Sequence, residues 1–180
     1  TIYSQDNTAN KHDVLKFGAS IAVSDIDLVR DGEHLILKVH GTSDQVTIAG
    51  YFTGDGHSPA SLEAIEFADE TAWDFTAVKS KLPPVGTAAD DHLWGYGTDD
   101  TINGVGCNDP IEGRGGNDTY LFGRGYGVDT VIDTDATVGN TDTAAFAGDI
   151  NYDQLWFRHY GNSLVVKVIG TSDSLVISDW

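Results

Sequence analysis

Four acids recur at intervals of nine residues: Asp91, Asp100, Asp109 and Asp118. Two places after each comes an apolar residue (Leu93, Ile102, Ile111, Tyr120), and each turn opens on a glycine (Gly86, Gly95, Gly104, Gly113). The unit is a nonapeptide, written GTAADDHLW, GYGTDDTIN, GVGCNDPIE and GRGGNDTYL, with a fifth, irregular turn over 122–129. Carboxylates and backbone carbonyls are hard oxygen donors, suited to hard cations. Glycine-rich turns can aim successive carbonyls inward, because glycine tolerates positive φ and close backbone approach. One acid per turn adds the charged ligand, and the apolar residue that follows begins a very short strand. The alternative is a metal-free solenoid in which Asp and Gly only make turns. Stacked, unneutralised aspartates would repel one another strongly in such a stack.

The elements that must position these turns belong to a chain of 180 residues with a formal net charge of -18. That length allows one domain, or two small ones. The charge argues against a nucleic-acid partner, which needs cations facing phosphate, and against docking on anionic lipid. Of 28 acids, 23 are Asp and only 5 are Glu, a bias toward turns and hard-cation sites rather than solvated helix faces. Hydrophobic residues at 40% can still build a core. Cys107 is the single cysteine, so no intrachain disulfide and no cysteine-based zinc site is available, and a metal becomes the natural staple. No apolar stretch is long enough to span a membrane. The N-terminus has neither the basic region nor the apolar core of an export signal, and without an initial Met the chain reads as a fragment of something longer.

A larger period lies over the short one. Residues 1–51 align without a gap on 130–180, at an offset of 129, with 15 of 51 pairs identical. Among them are Asp6/Asp135, Asp13/Asp142, Phe17/Phe146 and Gly32/Gly161, and the run Gly41-Thr-Ser-Asp44 over Gly170-Thr-Ser-Asp173. The chain thus holds one complete copy of a unit and the opening of a second, the pattern of an array protein. The second copy reads as truncated, because the first continues into 52–85.

The nonapeptides resemble the haemolysin-type calcium-binding repeats of RTX proteins, whose consensus is GGxGxDxUx. The run from Asn117 to Val131 looks like the usual close of such an array, and segments 13–51 and 142–180 resemble the flanking domain that accompanies it. Residues 153–180 are particularly similar to the last repeat block of adenylate cyclase toxin-haemolysins. The resemblance implies a mainly β protein: a right-handed parallel β-roll of two nonapeptides per coil, flanked by antiparallel β meanders. It implies calcium ions, two to four of them, each between turns 18 residues apart. Carried onto this sequence, the ligands come from Thr87, Ala89 and Asp91, and from Gly95, Tyr96, Gly97, Thr98 and Asp100. The next turns contribute Gly104, Val105, Gly106, Cys107 and Asp109, then Gly113, Arg114, Gly115, Gly116 and Asp118. The irregular turn adds Gly123, Gly125 and Asp129. Asp91 is expected to pair with Asp109, Asp100 with Asp118, and Asp109 with the irregular turn, with Asp133 or Asp135 closing the stack.

The residues themselves also suit calcium, which takes about 6–8 oxygen ligands, many of them carbonyls. Departures from the consensus are frequent. Its second glycine is replaced by Thr87, Tyr96, Val105 and Arg114, and the glycine before the acidic pair by Ala89, Thr98 and Cys107, surviving only as Gly116. Carbonyl ligation survives such changes, but at the expense of backbone strain. Pro110 is acceptable only at a strand's first residue or an edge. The best-formed turn is 113–118.

In the flanks, Val23–Arg30, Leu35–Val39, Val46–Ala49 and Leu62–Phe67 read as strands, with Asp31-Gly32 a hairpin signal. Residues 75–82 read as a short helix that Pro83-Pro84 ends. The expected division is 1–85, 86–130 and 131–180. Phe67, Trp73, Trp156 and Phe157 are assigned to core or stacking caps, and Trp94 with Tyr96 is weighed as a sugar-binding pair. No metalloprotease, serine-hydrolase or phosphate-loop motif occurs, and the six histidines lack zinc-ligand spacing. An EF-hand at Asp133-Thr-Asp135 fails because Ala144 stands at the bidentate position. Self-cleavage at Asp109-Pro110 is disfavoured because the bond lies inside a repeat. The reading is a non-catalytic, secreted, calcium-dependent module exported by type I secretion from a larger protein. The rivals are the C-terminal tail of a secreted hydrolase or lyase, and an adhesin module whose target is a glycan or a protein.

Overall fold

Short runs of β-branched and aromatic residues punctuated by Gly, Asp and Asn make the chain mainly β, with one short helix and two 3-10 turns among the described residues. The computed structural model describes residues 1–4, 8, 11–58 and 61–180. Asp6, matched with Asp135 in the internal repeat, lies outside the described residues. Two compact units result, Thr1–Pro83 and Pro84–Trp180. None of the helices among the described residues is long and apolar enough to cross a membrane.

Unit 1 contains β1 (Val14–Lys16), β2 (Ile26–Asp31), β3 (His34–Val39), β4 (Gln45–Ile48), β5 (Ala64–Glu66), β6 (Ala72–Trp73) and α1 (Phe75–Lys81). The run read as one strand from Val23 starts instead as a 3-10 turn over Val23–Asp25, whose Asp25 carboxylate takes the amide of Ala22. Strands β2, β3 and β4 form an antiparallel meander, with Gly32 at φ 56° in the first hairpin. A second sheet has β1 parallel to β5, which pairs antiparallel with β6. Asp74 caps α1 by accepting the Ala77 amide at 2.8 Å. The core gathers Leu35, Leu37, Ile48, Tyr51, Phe52, Ile65, Phe67, Trp73 and Val78, each 5% exposed or less.

Unit 2 contains β7 (Leu93–Trp94), β8 (Thr101–Asn103), β9 (Pro110–Glu112), β10 (Thr119–Phe122) and β11 (Val128–Ile132). Then come β12 (Thr143–Phe146), β13 (Leu155–Tyr160), β14 (Ser163–Val168) and β15 (Ser174–Ile177). Alternate strands join two ladders. One runs β7-β9-β11-β15 and is parallel throughout, and the other runs β8-β10-β12, also parallel. Pro110 stands first in its strand, where its missing N–H costs nothing to the ladder. Leu93, Ile102, Ile111 and Tyr120 point inward and are at most 8% exposed, forming one core with Phe122, Val131, Ile150, Val168 and Leu175. The nine-residue apolar spacing is therefore the spacing of core rungs on alternating ladders.

The offset of 129 is also structural. Strands β13, β14 and β15 repeat the bounds of β2, β3 and β4, and the bridge of Ile2 with Ile48 repeats the pairing of Val131 with Ile177. One expectation is corrected here. Trp156 and Phe157 are 51% and 57% exposed rather than core, because β13 is the outermost strand of its sheet and its residues from Trp156 to Tyr160 are all exposed. Phe67 and Trp73, in contrast, are buried and meet edge to face.

Candidate metal centre

Two columns of aspartates follow the two ladders of unit 2. In the first, the Asp91 amide donates to Asp109 Oδ1 at 2.8 Å and the Asp109 amide to Asp129 Oδ1 at 3.1 Å. In the second, the Asp100 amide donates to Asp118 Oδ1 at 2.9 Å and the Asp118 amide to Asp142 Oδ1 at 3.0 Å. Each acid stands just before an inward-pointing strand, so parallel pairing of the strands stacks the acids. The turn 86–91 lies against 104–109, and 95–100 against 113–118: a Cβ added to Gly86 would meet the Gly104 carbonyl, and one on Gly95 the Gly113 carbonyl. The irregular turn joins the first column, where Gly127 touches the Cys107 carbonyl and Gly125 lies near Gly106.

The remaining turn residues shape these stacks. Thr87 gives its amide and hydroxyl to Asp91 Oδ2 at 2.6 and 2.7 Å, and the Ala89 amide returns to Thr87 Oγ1. Tyr96 donates its amide to Asp100 Oδ2 at 2.5 Å and takes the Gly115 amide on its carbonyl. Gly97 lies beside Gly115, and Thr98 beside Gly116. Cys107 is exposed, its thiol donating to the Ala88 carbonyl. Gly123 packs under the Tyr126 ring. Three of the non-glycine replacements, Val105, Cys107 and Arg114, take positive φ of 75°, 73° and 79°, the left-handed region that glycine would enter freely. Tyr96 is fully buried, so the sugar-binding pair with Trp94 is overturned: its ring fills the interior and presents no surface to a sugar.

Asp109, Asp118 and Asp129 are at most 1% exposed, and the Oδ2 of each has no hydrogen-bond partner. Burial pushes the Asp118 carboxyl up to about 7, and the like charges of Asp100, Asp133 and Asp142 push the same way. Burial also raises Asp129 to about 7, helped by Asp109 and Asp173. Asp109 and Asp142 rise for the same primary reason. An unpaired buried carboxylate is costly unless a cation meets it. Glycine makes the room: a Cβ on Gly104 would lie 2.3 Å from Asp109 Oδ2 and 3.2 Å from Asp129 Oδ2. The donor set is oxygen throughout and anionic, so the residues fit a hard cation.

Two acids of these columns lay outside the sequence reading of the site. Asp142 extends the second column, and one carboxylate oxygen each from Asp118, Asp133 and Asp142 lie within 4.8 Å of one another. Asp173 ends the first column, accepting the amides of Gly125 and Gly127 at 2.9 and 3.1 Å. The signal was present, since Asp142-Thr-Ala144 and Asp173-Ser-Leu175 repeat the acid-x-apolar step, but at separations of 24 and 44 from the preceding acids rather than nine. Asp135, the other acid expected to close the stack, accepts the amides of Gly116 and Thr137, the Thr137 hydroxyl and the Asn140 side-chain amide.

Residues 34–77 match the family model described as haemolysin-type calcium binding protein related domain. A relative, the iron-regulated protein FrpA of Neisseria meningitidis serogroup C, is 30% identical over 96 residues, 53% of this chain. These similarities agree with the resemblance to haemolysin-type calcium-binding repeat proteins that the sequence carries. The chain spans 8% of FrpA's length. The extracellular lipase LipA of Serratia marcescens superposes over 95% of this chain and 31% of its own, at 13% identity and a TM-score of 0.36.

Proposed function

We propose that the chain is a calcium-binding RTX-type module that folds on binding calcium outside the cell. The observation that carries this reading is the pair of aspartate columns, with buried carboxylate oxygens at Asp109, Asp118 and Asp129 left without a partner. Two carboxylates about 4 Å apart repel by about 4 kcal/mol at an effective dielectric near 20, so at neutral pH and above the columns are destabilising unless positive charge is supplied between them. Calcium would supply it, held by the column carboxylates and by carbonyls of the turns from Gly86 to Asp129. On this reading the two parallel ladders are the walls of a right-handed β-roll. Sites of the extracellular class, with Kd about 10⁻⁴–10⁻³ M, would stay empty in a cytosol poor in calcium and fill outside. The loose, acidic chain would suit type I export, and calcium would then condense it. The module has no catalytic role here.

The test is a far-UV dichroism and melting series on the 180-residue chain. Millimolar calcium is expected to raise β signal and the melting temperature, and magnesium at equal concentration is not, since it demands tight octahedral geometry and dehydrates reluctantly. Spectra and melting curves indifferent to calcium would overturn the reading. An adhesin role has one observation in its favour, the exposed Trp156, Phe157 and Tyr160 of β13. A glycan array on this chain, with Trp156→Ala as control, tests it.

A further inference from the structure

We propose that Asp118, Asp133 and Asp142 hold one divalent cation at the seam between the last nonapeptide and the segment after it, and that unit 1 carries the same framework in a form that has no need of the ion. The inference rests on the calcium reading only for the identity of the ion.

The geometry is that of a site. One oxygen from each carboxylate lies within 4.8 Å of the others. Two ligands on one calcium at 2.3–2.6 Å can stand at most about 5 Å apart, so a single ion can touch all three. Asp118 is 1% exposed; its Oδ1 holds the Asp100 amide, and its Oδ2 is buried with no partner. That oxygen faces the cluster: a Cβ on Gly113 would lie 2.6 Å from Asp118 Oδ2 and 3.0 Å from Asp133 Oδ2. Only glycine leaves the two carboxylates their space. Asp133 is oriented by the Tyr120 hydroxyl, which donates to its Oδ2 at 2.8 Å, and by the Asp135 amide on its Oδ1. Asp133 and Asp142 line a cavity of about 280 Å³ with Tyr120, Val131 and Ala144, which gives an ion a way in.

The internal repeat supplies a control. At the offset of 129, Ser4 corresponds to Asp133, Lys11 to Asn140 and Asp13 to Asp142. In unit 1 the Ser4 hydroxyl donates to Asp13 Oδ2 at 2.9 Å, where unit 2 sets a second carboxylate. The Lys11 ammonium sits 3.2 Å from Asp13 Oδ2 and 3.0 Å from Glu63 Oε1, and also donates to the Ser61 carbonyl. A cation on two carboxylates and a carbonyl is what a metal would provide, here covalently attached. The Asp13 amide reaches Glu63 Oε2 at 2.6 Å, the same amide-to-acid step that stacks the columns of unit 2. Of these acids the repeat in unit 2 keeps Asp13 as Asp142, Glu63 lying beyond the aligned residues, and it replaces both the hydroxyl and the ammonium, with Asp133 and the neutral Asn140.

Calcium binding to the full 180-residue chain, counted by equilibrium dialysis and calorimetry, tests this. The double variant Asp133→Ser, Asn140→Lys transplants the chemistry of unit 1 and is expected to bind one ion fewer than the wild type while keeping its β signal at saturating calcium. Asp142→Asn, nearly unchanged in shape, is expected to lose the same ion and covers the case in which the double variant fails to fold. Stoichiometry equal to the wild type in the folded variants overturns this site and leaves the calcium reading standing. A wild type that takes up no calcium overturns both.

Discussion

Residues 1–51 and 130–180 share a pattern, a strand order and a hairpin register, yet they handle charge in opposite ways. Unit 1 carries six Lys and Arg against 13 acids, unit 2 only four against 15. More telling than the totals is where the cations stand. Lys11, 11% exposed, is placed between Asp13 and Glu63, so the stacked acids of unit 1 meet an ammonium from their own chain. In unit 2 the charges that bear on Asp118 are Asp100, Asp133 and Asp142, all of one sign. On the proposed reading, the same backbone is a self-sufficient fold in unit 1 and an ion-dependent one in unit 2, and the choice is made at a few positions. Strand propensity and core rungs would then decide the path of the chain, and the counter-charge whether that path is stable alone.

The comparison is most severely tested by removing calcium. Chelation is expected to lower amide protection in β8 to β12 by about a hundredfold or more, while β2 to β4 keep theirs, as native-state hydrogen exchange would show. Equal loss in both units would break the comparison outright. Next in size is Lys11→Asn, which gives unit 1 the residue of unit 2 and leaves Asp13 facing Glu63. Both acids are about one-third exposed, so solvent screening trims the loss to about 2 kcal/mol of unit 1 stability, measured by urea unfolding followed at unit 1 amides. Unit 2 amides should not respond.

Proton concentration gives a smaller, graded version of the same contrast. In the calcium-free protein, Asp118 and Asp129 titrate at about 7 when folded, against the ordinary value of 3.8. Between those limits the folded state holds more protons than the unfolded, so stability falls as pH rises through the window. Calcium-free unit 2 should therefore melt higher at pH 5 than at pH 8, and calcium affinity should fall over the same descent, because protons and the ion compete for the same oxygens. In unit 1 the ammonium of Lys11 keeps its pKa above 10.5: burial works against it, but hydrogen bonds to Glu63 and Asp13 prevail. Its contribution is complete below that pH and is lost only as pH rises through the raised value, so the Lys11 pair should add no pH dependence to unit 1 from pH 5 to 8. A calcium-free unit 2 that is more stable at pH 8 would contradict the sign.

The sequence showed the ladder more plainly than the site. A strict period of nine, with Leu93, Ile102, Ile111 and Tyr120 as its apolar marks, was visible because each rung is made by neighbours in the chain, and the expected helix after Asp74 differs from the observed one by a single residue. Asp142 and Asp173 escaped because the chain makes long excursions before bringing them to the columns, 24 residues after Asp118 and 44 after Asp129, and no local period survives such a gap. The exposed aromatics of β13 depart from the expectation of burial for a related reason, since composition says that a residue wants burial but not whether another layer exists to cover it.

The smallest effect concerns backbone strain, and it separates the units by what calcium does to it. Val105 has φ 75° in the turn that ends at Asp109, and Glu70 has φ 70° in the β5–β6 turn of unit 1. A left-handed non-glycine residue costs about 1–2 kcal/mol, more for a β-branched one, whereas glycine in its place gives back about 0.5–1 kcal/mol through the freer unfolded chain. Val105→Gly should thus gain about 0.5–1 kcal/mol in the folded state. Because unit 2 folds with its ions on this reading, that gain should appear as a lower calcium midpoint, by about a factor of two to five at RT near 0.6 kcal/mol if one ion limits the transition. Glu70→Gly relieves strain of similar size in a unit that carries its own cation, so it should raise the unit 1 melting temperature equally with and without calcium and leave the midpoint where it was. Dichroism-monitored calcium titrations of the two variants decide the matter: a midpoint shift from Glu70→Gly, or none from Val105→Gly despite a higher calcium-loaded melting temperature, would show that strain in the turns is not coupled to the ion.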